Sequence, residues 1–293
     1  MRTLTIRALL LLLCLLLGAG CSMVRVGYGH FDTVAAWMAN DYFDLGSDQR
    51  DQFTQRFAQM HQWHRREQLP EYAQFLDDIQ TRVRRGLREE DMLWLVDGFK
   101  LRYARIAAQG GADAADLLAT LSPQQIETFR QQVGRDNRKF MREHRIADSE
   151  TERRKVARER ALTQLQDWVG PLSATQQTQI SALMQNLPLT DKLRHEDRLR
   201  RQREFFALLE QRGSDRKLFT QRLRDWLVGW ESGRTPEQAR LFEESWKKRA
   251  EFYAAADRLL TTEQRNHLLQ RLQDYADDFR DLSRRSTGVA ASR

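Results

Sequence analysis

From Asp48 onward, apolar residues recur three and four positions apart along most of the chain, the spacing that places one side chain per turn on the same face of an α-helix. Phe53, Phe57, Met60 and Trp63 form a first stripe, and Tyr72, Phe75, Leu76, Ile79 and Val83 a second. Met92, Leu95, Val96, Phe99, Tyr103 and Ile106 make a third. The second half continues with Leu218, Leu223, Trp226, Leu227 and Trp230, then Leu241, Trp246 and Phe252, then Leu268, Leu272, Tyr275 and Phe279. No useful length of strict alternation argues for a strand. The pattern predicts an all-α protein, an elongated or arched multi-helix bundle of about ten helices with no sheet. A short helix is expected after Asp32 as N-cap, followed by helices near 48–66, 70–85, 89–108, 123–145, 150–169, 174–186, 190–211, 215–230, 236–259 and 262–284. The stretch GGADAAD, residues 110–116, is the most loop-like internal segment. The charged region 148–155 marks a boundary between an N-terminal half, 32–147, and a C-terminal half, 148–285. The polar tail 286–293 is expected to be disordered.

The breaks between stripes repeat one phrase. It reads LSPQQ at 121–125, LSATQ at 172–176 and LTTEQ at 260–264, with a relative, TPEQ, at 235–238. Each is a capping box. Ser122, Ser173 or Thr261 at the N-cap accepts from the N3 amide, and Gln125, Gln176 or Gln264 at N3 reaches back to the N-cap amide. Pro123 and Pro236 stand at the first helical position, where a missing amide hydrogen costs nothing. Leu121 before its cap and Ile126 at N4 have the spacing of a hydrophobic staple.

Composition places the chain among folded proteins, since 41% hydrophobic residues supply a core despite a charged fraction of 30%. One segment falls outside that picture. Residues 8–19 are an apolar run too short for the ~20 residues of a membrane span, preceded by Arg2 and Arg7 and followed by small residues, which is the layout of a removable signal peptide over residues 1–20. Its loss lowers the formal charge of +7 by two, leaving a mildly basic surface that, in an exported chain, does not point to nucleic acid. Cys14 leaves with the signal.

Ala19, Gly20 and Cys21 then match the end of a bacterial lipobox, with Gly18 standing where Leu is usual. That resemblance implies a diacylglyceryl thioether on Cys21, a mature N-terminus there, and residues 21–31 as lipidated cysteine and tether. Ser22 in place of Asp implies the outer membrane, facing the periplasm. Several acyl chains would hold the protein stably where one holds it marginally. With both cysteines consumed, no disulfide, thiol nucleophile or cysteine-held metal is available.

The repeated phrase also resembles the LTXXQ motif of bacterial periplasmic helical proteins, the Spy-type family, which implies ATP-independent binding of unfolded polypeptides. Separately, DYFDLGSDQR at 41–50 and WHRREQLPEYAQFL at 63–76 resemble an uncharacterised family of helical bacterial lipoproteins. That second resemblance spans most of the mature chain and implies a lipid-anchored helical protein, with no activity attached.

Candidate chemistry is sparse. His61, His64 and Glu67 fall at i, i+3 and i+6, and such a trio could hold zinc. The spacing is not HExxH, and no second cluster supplies a general base. Two readings stay open for His64, Arg65 and Glu67: a polar network joining two helices across a tight connection at Pro70, or a ligand-facing pair able to hold a carboxylate or phosphate. The densest basic group is Lys192, Arg194, Arg198, Arg201 and Arg203, flanked by Phe205 and Phe206. It is either a solvated helix face or a basic patch. There is no nucleophile elbow, phosphate loop or dinucleotide fingerprint, and no cofactor is implied. The sequence therefore predicts a non-catalytic, lipid-anchored envelope protein that binds polypeptide or envelope components in a chaperone-like or accessory role. The alternatives are a structural lipoprotein with one dedicated partner and a metal-dependent hydrolase. A broad apolar surface lined by Trp and Phe favours the chaperone-like class, and a bundle burying all seven Trp favours the structural one.

Overall fold

A computed structural model of the chain describes residues 23–213 and 215–288. The described residues are helical throughout, with no strand among them. In chain order the helices are α1 (Met23–Gly29), α2 (Phe31–Phe43), α3 (Ser47–Trp63), α4 (Leu69–Arg84), α5 (Glu89–Ala119) and α6 (Pro123–Glu143). They continue as α7 (Glu150–Val169), α8 (Ala174–Met184), α9 (Asp191–Glu210), α10 (Arg216–Val228), α11 (Pro236–Asp257) and α12 (Thr262–Gly288). The chain is an all-α multi-helix bundle.

Three local expectations are corrected. The first is GGADAAD, which is not a loop: α5 runs unbroken through it to Ala119. Glycine is present for proximity, because a Cβ on the buried Gly111 would sit 2.5 Å from the Arg224 side chain of α10. A helix that must approach its neighbour this closely tolerates only the smallest residue. The second is the connection at Pro70. Residues His64–Gln68 form a π-helical turn that keeps α3 and α4 continuous, with the Leu69 amide bonded to the His64 carbonyl five residues back. Proline cannot donate and its ring crowds the carbonyl four residues before it, and a π-bulge absorbs such a defect without ending the helix. The third is the tether. Residues 23–29 are helical, and Arg25 holds α1 to α12 through Asp278 at 2.9 Å and Asp281 at 3.3 Å.

The boundary at 147/148 does not separate two packing units either. The most extensive helix pairs cross it: α4 lies on α12, and α5 lies on both α10 and α11. The helix α12 also continues to Gly288, past the point where the tail was expected to begin, and residues 289–293 lie outside the described residues, as do Cys21 and residues 1–20. At the other end α2 starts at Phe31, two residues before the Thr33 start that an Asp32 cap requires; Asp32 Oδ1 instead accepts from the Thr33 amide at 2.8 Å.

Two cores hold the bundle. One gathers Leu45, Ala115, Leu118, Leu121, Phe206, Leu209, Phe219 and Leu223, and the other Val169, Leu172, Ile180 and Phe252. Each is closed by the same polar device. At the start of α8, Gln176 Oε1 accepts from the Ser173 amide at 2.9 Å, and at the start of α12, Gln264 Oε1 accepts from the Thr261 amide at 3.0 Å. The two side-chain amides then cross. Gln176 Nε2 donates to Gln264 Oε1 at 2.7 Å and to the Leu259 carbonyl at 2.8 Å. Gln264 Nε2 donates to Gln176 Oε1 at 3.0 Å and to the Pro171 carbonyl at 2.7 Å.

The arrangement recurs at the first core between α3 and α6. Gln49 Oε1 accepts from the Gly46 amide and Gln125 Oε1 from the Ser122 amide, both at 2.9 Å. Gln125 Nε2 reaches Gln49 Oε1 at 2.6 Å and the Asp44 carbonyl at 3.0 Å, while Gln49 Nε2 reaches Gln125 Oε1 at 3.2 Å and the Thr120 carbonyl at 3.1 Å. In all four cases the carbonyl used lies five residues before the partner glutamine. The leucines that precede the boxes, Leu45, Leu121 and Leu172, are buried beside these pairs. Two pairs of helix starts are thus joined by one crossed-glutamine motif, in which every amide donor and acceptor is used. The segment LGSDQ at 45–49 is a fourth copy of the phrase, with glycine at the N-cap position. Sequence reading misses it because the Ser or Thr signal is absent there. The box at Thr235 and Gln238 caps α11 without a crossed partner.

A buried side chain that loses one partner pays the desolvation of the group left behind, about 1–3 kcal/mol. Gln176→Ala and Gln264→Ala should therefore each lower the unfolding free energy by that amount, with a coupling of about 0.5–3 kcal/mol in the double variant. Urea unfolding of the four proteins measures it; strictly additive losses would show that the two side chains act separately.

Candidate functional site

The crossed pair of Gln49 and Gln125 fixes the starts of α3 and α6, and between these helices a cleft of about 750 Å³ opens. That volume lies within the ~300–1,000 Å³ of ordinary ligand sites. It is bordered by α2, α3, α5, α6, α9 and α10. The stripe Phe53, Phe57 and Met60 of α3 makes one side; no residue of α3 is fully buried, and Phe53 packs on the first core while also lining the opening. Phe43 stacks on Phe129 at 4.6 Å, Phe129 meets Phe205 at 5.7 Å, and Phe205 meets Trp226 at 4.9 Å to form the other side. The buried Leu118 and Leu223 lie at its base.

The helix α9 contributes the charge. Arg198, Arg201, Gln202 and Phe205 stand at i, i+3, i+4 and i+7 and all line the cleft. Arg201 lies with its guanidinium 3.8 Å over the Trp226 ring and donates to the Trp226 carbonyl at 2.7 Å. Burial lowers its pKa from the ordinary arginine value, which marks a cation short of solvent and of a close counter-charge. Arg198 donates to Asn137 at 2.7 Å. At the rim, Arg56 pairs with Asp113 at 2.6 Å, and the Tyr42 hydroxyl donates to Asp136 at 2.5 Å.

The opposite face of α9 holds it in place. Arg200 donates to Asp197 at 2.7 Å, to Glu204 at 2.7 Å and to the Ser232 carbonyl at 2.6 Å, and Arg234 donates to Asp197 at 3.0 Å. Burial raises the Asp197 carboxyl, but the bonds and charges of Arg234 and Arg200 outweigh it and hold the pKa below the usual carboxylate range. The loop beyond α10 fits this network because Gly233 adopts φ +80°, where a Cβ would lie 2.7 Å from Arg200. Of the predicted basic group, then, Arg198 and Arg201 enter the cleft. Lys192, Arg194 and Arg203 are exposed on α9, with Arg194 at 3.9 Å from Asp191.

The His64, Arg65 and Glu67 trio separates in space. His64 Nδ1 lies 2.8 Å from the Tyr28 hydroxyl, its ring packs against Tyr72 at 5.3 Å, and Arg65 lies 5.4 Å from the Tyr28 ring centroid. Glu67 turns away to accept from the Trp63 indole at 2.8 Å. His61 joins the aromatic junction through Tyr28 at 4.5 Å. Residues from α1, α3, the π-helical turn and α4 thus meet in one half-buried polar knot. Among the described residues, no three His, Cys, Asp or Glu side chains are grouped to hold a metal ion.

Burial pushes the His64 imidazole from 6.5 down to about 4, and His61 adds to that direction. Burial also pushes the Tyr28 phenol up to about 12, the nearby Arg65 opposing it. An unfolded histidine takes its proton near 6.5, so between there and about 4 the unfolded chain binds the extra proton and stability falls as pH falls. Urea midpoints measured down this range should decline for the wild type and decline less for His64→Gln. Parallel declines for the two proteins would mean that His64 is not the group responsible.

The family model that matches the chain, described as a family of unknown function (DUF6279), covers residues 41–238. That span contains every residue lining the cleft and the first crossed-glutamine pair. No curated protein and no solved structure matches the chain. With about two thirds of its residues under this one model, the chain belongs to the DUF6279 family of unknown function.

Proposed function

We propose that this is a non-catalytic lipoprotein, anchored through acylated Cys21 at the periplasmic face of the bacterial outer membrane, that binds unfolded or partly folded polypeptide in its cleft. The observation that carries the reading is the cleft itself, an open apolar surface of phenylalanines and Trp226 with two arginines at its edge. An apolar segment of a client would contact Phe57, Phe129 and Phe205, and a neighbouring carboxylate would meet Arg201 and Arg198. A cation lying over an aromatic ring in a partly dry site gains more from a carboxylate than a fully hydrated one does.

A second observation supports the client-binding class over a purely structural lipoprotein. None of the seven Trp is buried, and Trp37 and Trp168 are exposed. The four Leu-Ser/Thr-x-x-Gln-like phrases agree with the resemblance to Spy-type proteins. The crossed glutamines give that resemblance a structural role, the setting of helix starts, that does not depend on shared function. The polar knot around His64 has its groups engaged with one another, which supports a structural reading for it and leaves no arranged acid, base and nucleophile.

Two experiments test the proposal. Mass spectrometry of the membrane fraction should find Cys21 as an acylated N-terminus, and Cys21→Ser should move to the soluble fraction; an unmodified soluble wild type contradicts the anchor. For binding, the protein at stoichiometric amounts should suppress light scattering by a chemically denatured client. A variant carrying Phe57→Glu and Phe205→Glu should lose most of that effect while keeping its helical circular dichroism. Suppression no greater than that of an inert carrier protein would remove the client-binding reading.

A further inference from the structure

The helix α2 carries a strip of large apolar residues that are exposed. Its sequence, FDTVAAWMANDYF, contributes no buried residue. Ala39 and Phe43 pack against the first core, and Tyr42 and Phe43 border the cleft. Phe31 packs beside Phe57 and His61 of α3, at 5.6 and 6.1 Å. The outward strip is Val34, Trp37 and Met38, with Trp37 68% exposed. At 100° per residue these three fall within about a quarter of the helix circumference. Val26, on α1 just before it, is 52% exposed as well.

Chain length says what covers this face. Cys21 stands two residues before α1 and ten before Phe31. With α1 helical at 1.5 Å per residue and the preceding link fully extended, Phe31 lies within about 20 Å of Cys21. The helix α1 does not swing as a free arm: Arg25 ties it to Asp278 and Asp281, and Tyr28 ties it to His64. Acyl chains on Cys21 therefore bring the bilayer surface to the side of the body where α2 stands. A Trp flanked by Val and Met is a residue set that settles at a membrane–water interface, with ring and aliphatic groups at headgroup level. Asp41, exposed on the same arc one turn beyond Trp37 and Met38, and Asp32 are the charged residues of α2, so attraction to anionic lipid is not what drives the contact and the Asp41 carboxylate stays at headgroup level.

We infer that α2 is a membrane-docking surface: its Val34, Trp37 and Met38 strip inserts into the phospholipid interface beside the anchor and sets the orientation of the body. The inference rests on the reading that Cys21 carries lipid, and its test separates the two. Full-length protein extracted from membranes, its Cys21 mass checked first, is reconstituted into vesicles of phosphatidylethanolamine and phosphatidylglycerol with brominated acyl chains. The Trp37 emission, read as wild type minus Trp37→Phe, should be strongly quenched, and quenching should persist in ~1 M salt, where exposed charges are screened beyond ~3 Å. Trp37→Phe itself should stay anchored.

The unlipidated Cys21→Ser protein gives the second arm. It should retain weak, salt-insensitive vesicle binding that Trp37→Glu reduces roughly tenfold, about 1.4 kcal/mol of lost insertion. A Trp37 emission that brominated lipid leaves unchanged in the anchored protein, or equal vesicle retention of Cys21→Ser with and without Trp37→Glu, overturns the inference. A Cys21 without lipid overturns the anchor, while the second arm still decides the role of α2.

Discussion

The crossed glutamine pairs are the constraint on which the rest of the molecule is built. A helix start leaves backbone amides without partners, and a capping box satisfies them within one helix. Here the glutamine of each box spends its remaining hydrogens on a second helix, so that two helix starts are registered against each other to within a hydrogen bond. Gln176 with Gln264 sets α8 against α12, and Gln49 with Gln125 sets α3 against α6. The second pair registers the starts of the two helices that carry Phe53, Phe57 and Phe129, which line the cleft.

The cleft is placed between opposing demands. Its walls are apolar, yet Arg198 and Arg201 enter it from α9, and they stay there because the opposite face of the same helix is clamped. Arg200 donates to Asp197 and Glu204 of its own helix and to the Ser232 carbonyl of the loop before Gly233, and Asp197 accepts from Arg234 beyond that loop. One helix thus spends its acidic partners on one side and leaves its cations under-partnered on the other. An arginine stacked on Trp226, bonded to a carbonyl and kept from water is a group that gains from an incoming carboxylate.

Much of the fold was legible in the sequence, because three-and-four spacing and N-terminal capping residues are local signals. Helices such as Pro123–Glu143, Glu150–Val169 and Pro236–Asp257 lie close to where those signals place them. What was not legible depends on distant partners. Gly110 and Gly111 carry the composition of a loop, and only the approach of Arg224 explains why α5 passes through them. Pro70 carries the signature of a helix start, and only the π-helical turn lets the helix continue. The same limit governs the site. Phe53, Phe57 and Met60 have the periodicity of a core stripe, and periodicity reports a shared face without reporting what that face meets. Arg198 and Arg201 stood out among basic residues, but their separation from Lys192, Arg194 and Arg203 follows from helix orientation, which the tertiary fold decides.

The proposed client binding requires that the cleft, and not the surface at large, receive polypeptide. A photoreactive phenylalanine analogue installed singly at Phe57, at Phe205 and at the exposed Arg88 provides the most direct measurement, with a defined denatured client added at stoichiometric amounts. Client adducts are expected from the two cleft positions, lost on competition with unlabelled client, and none from Arg88. Equal adduct yield from all three positions would contradict it.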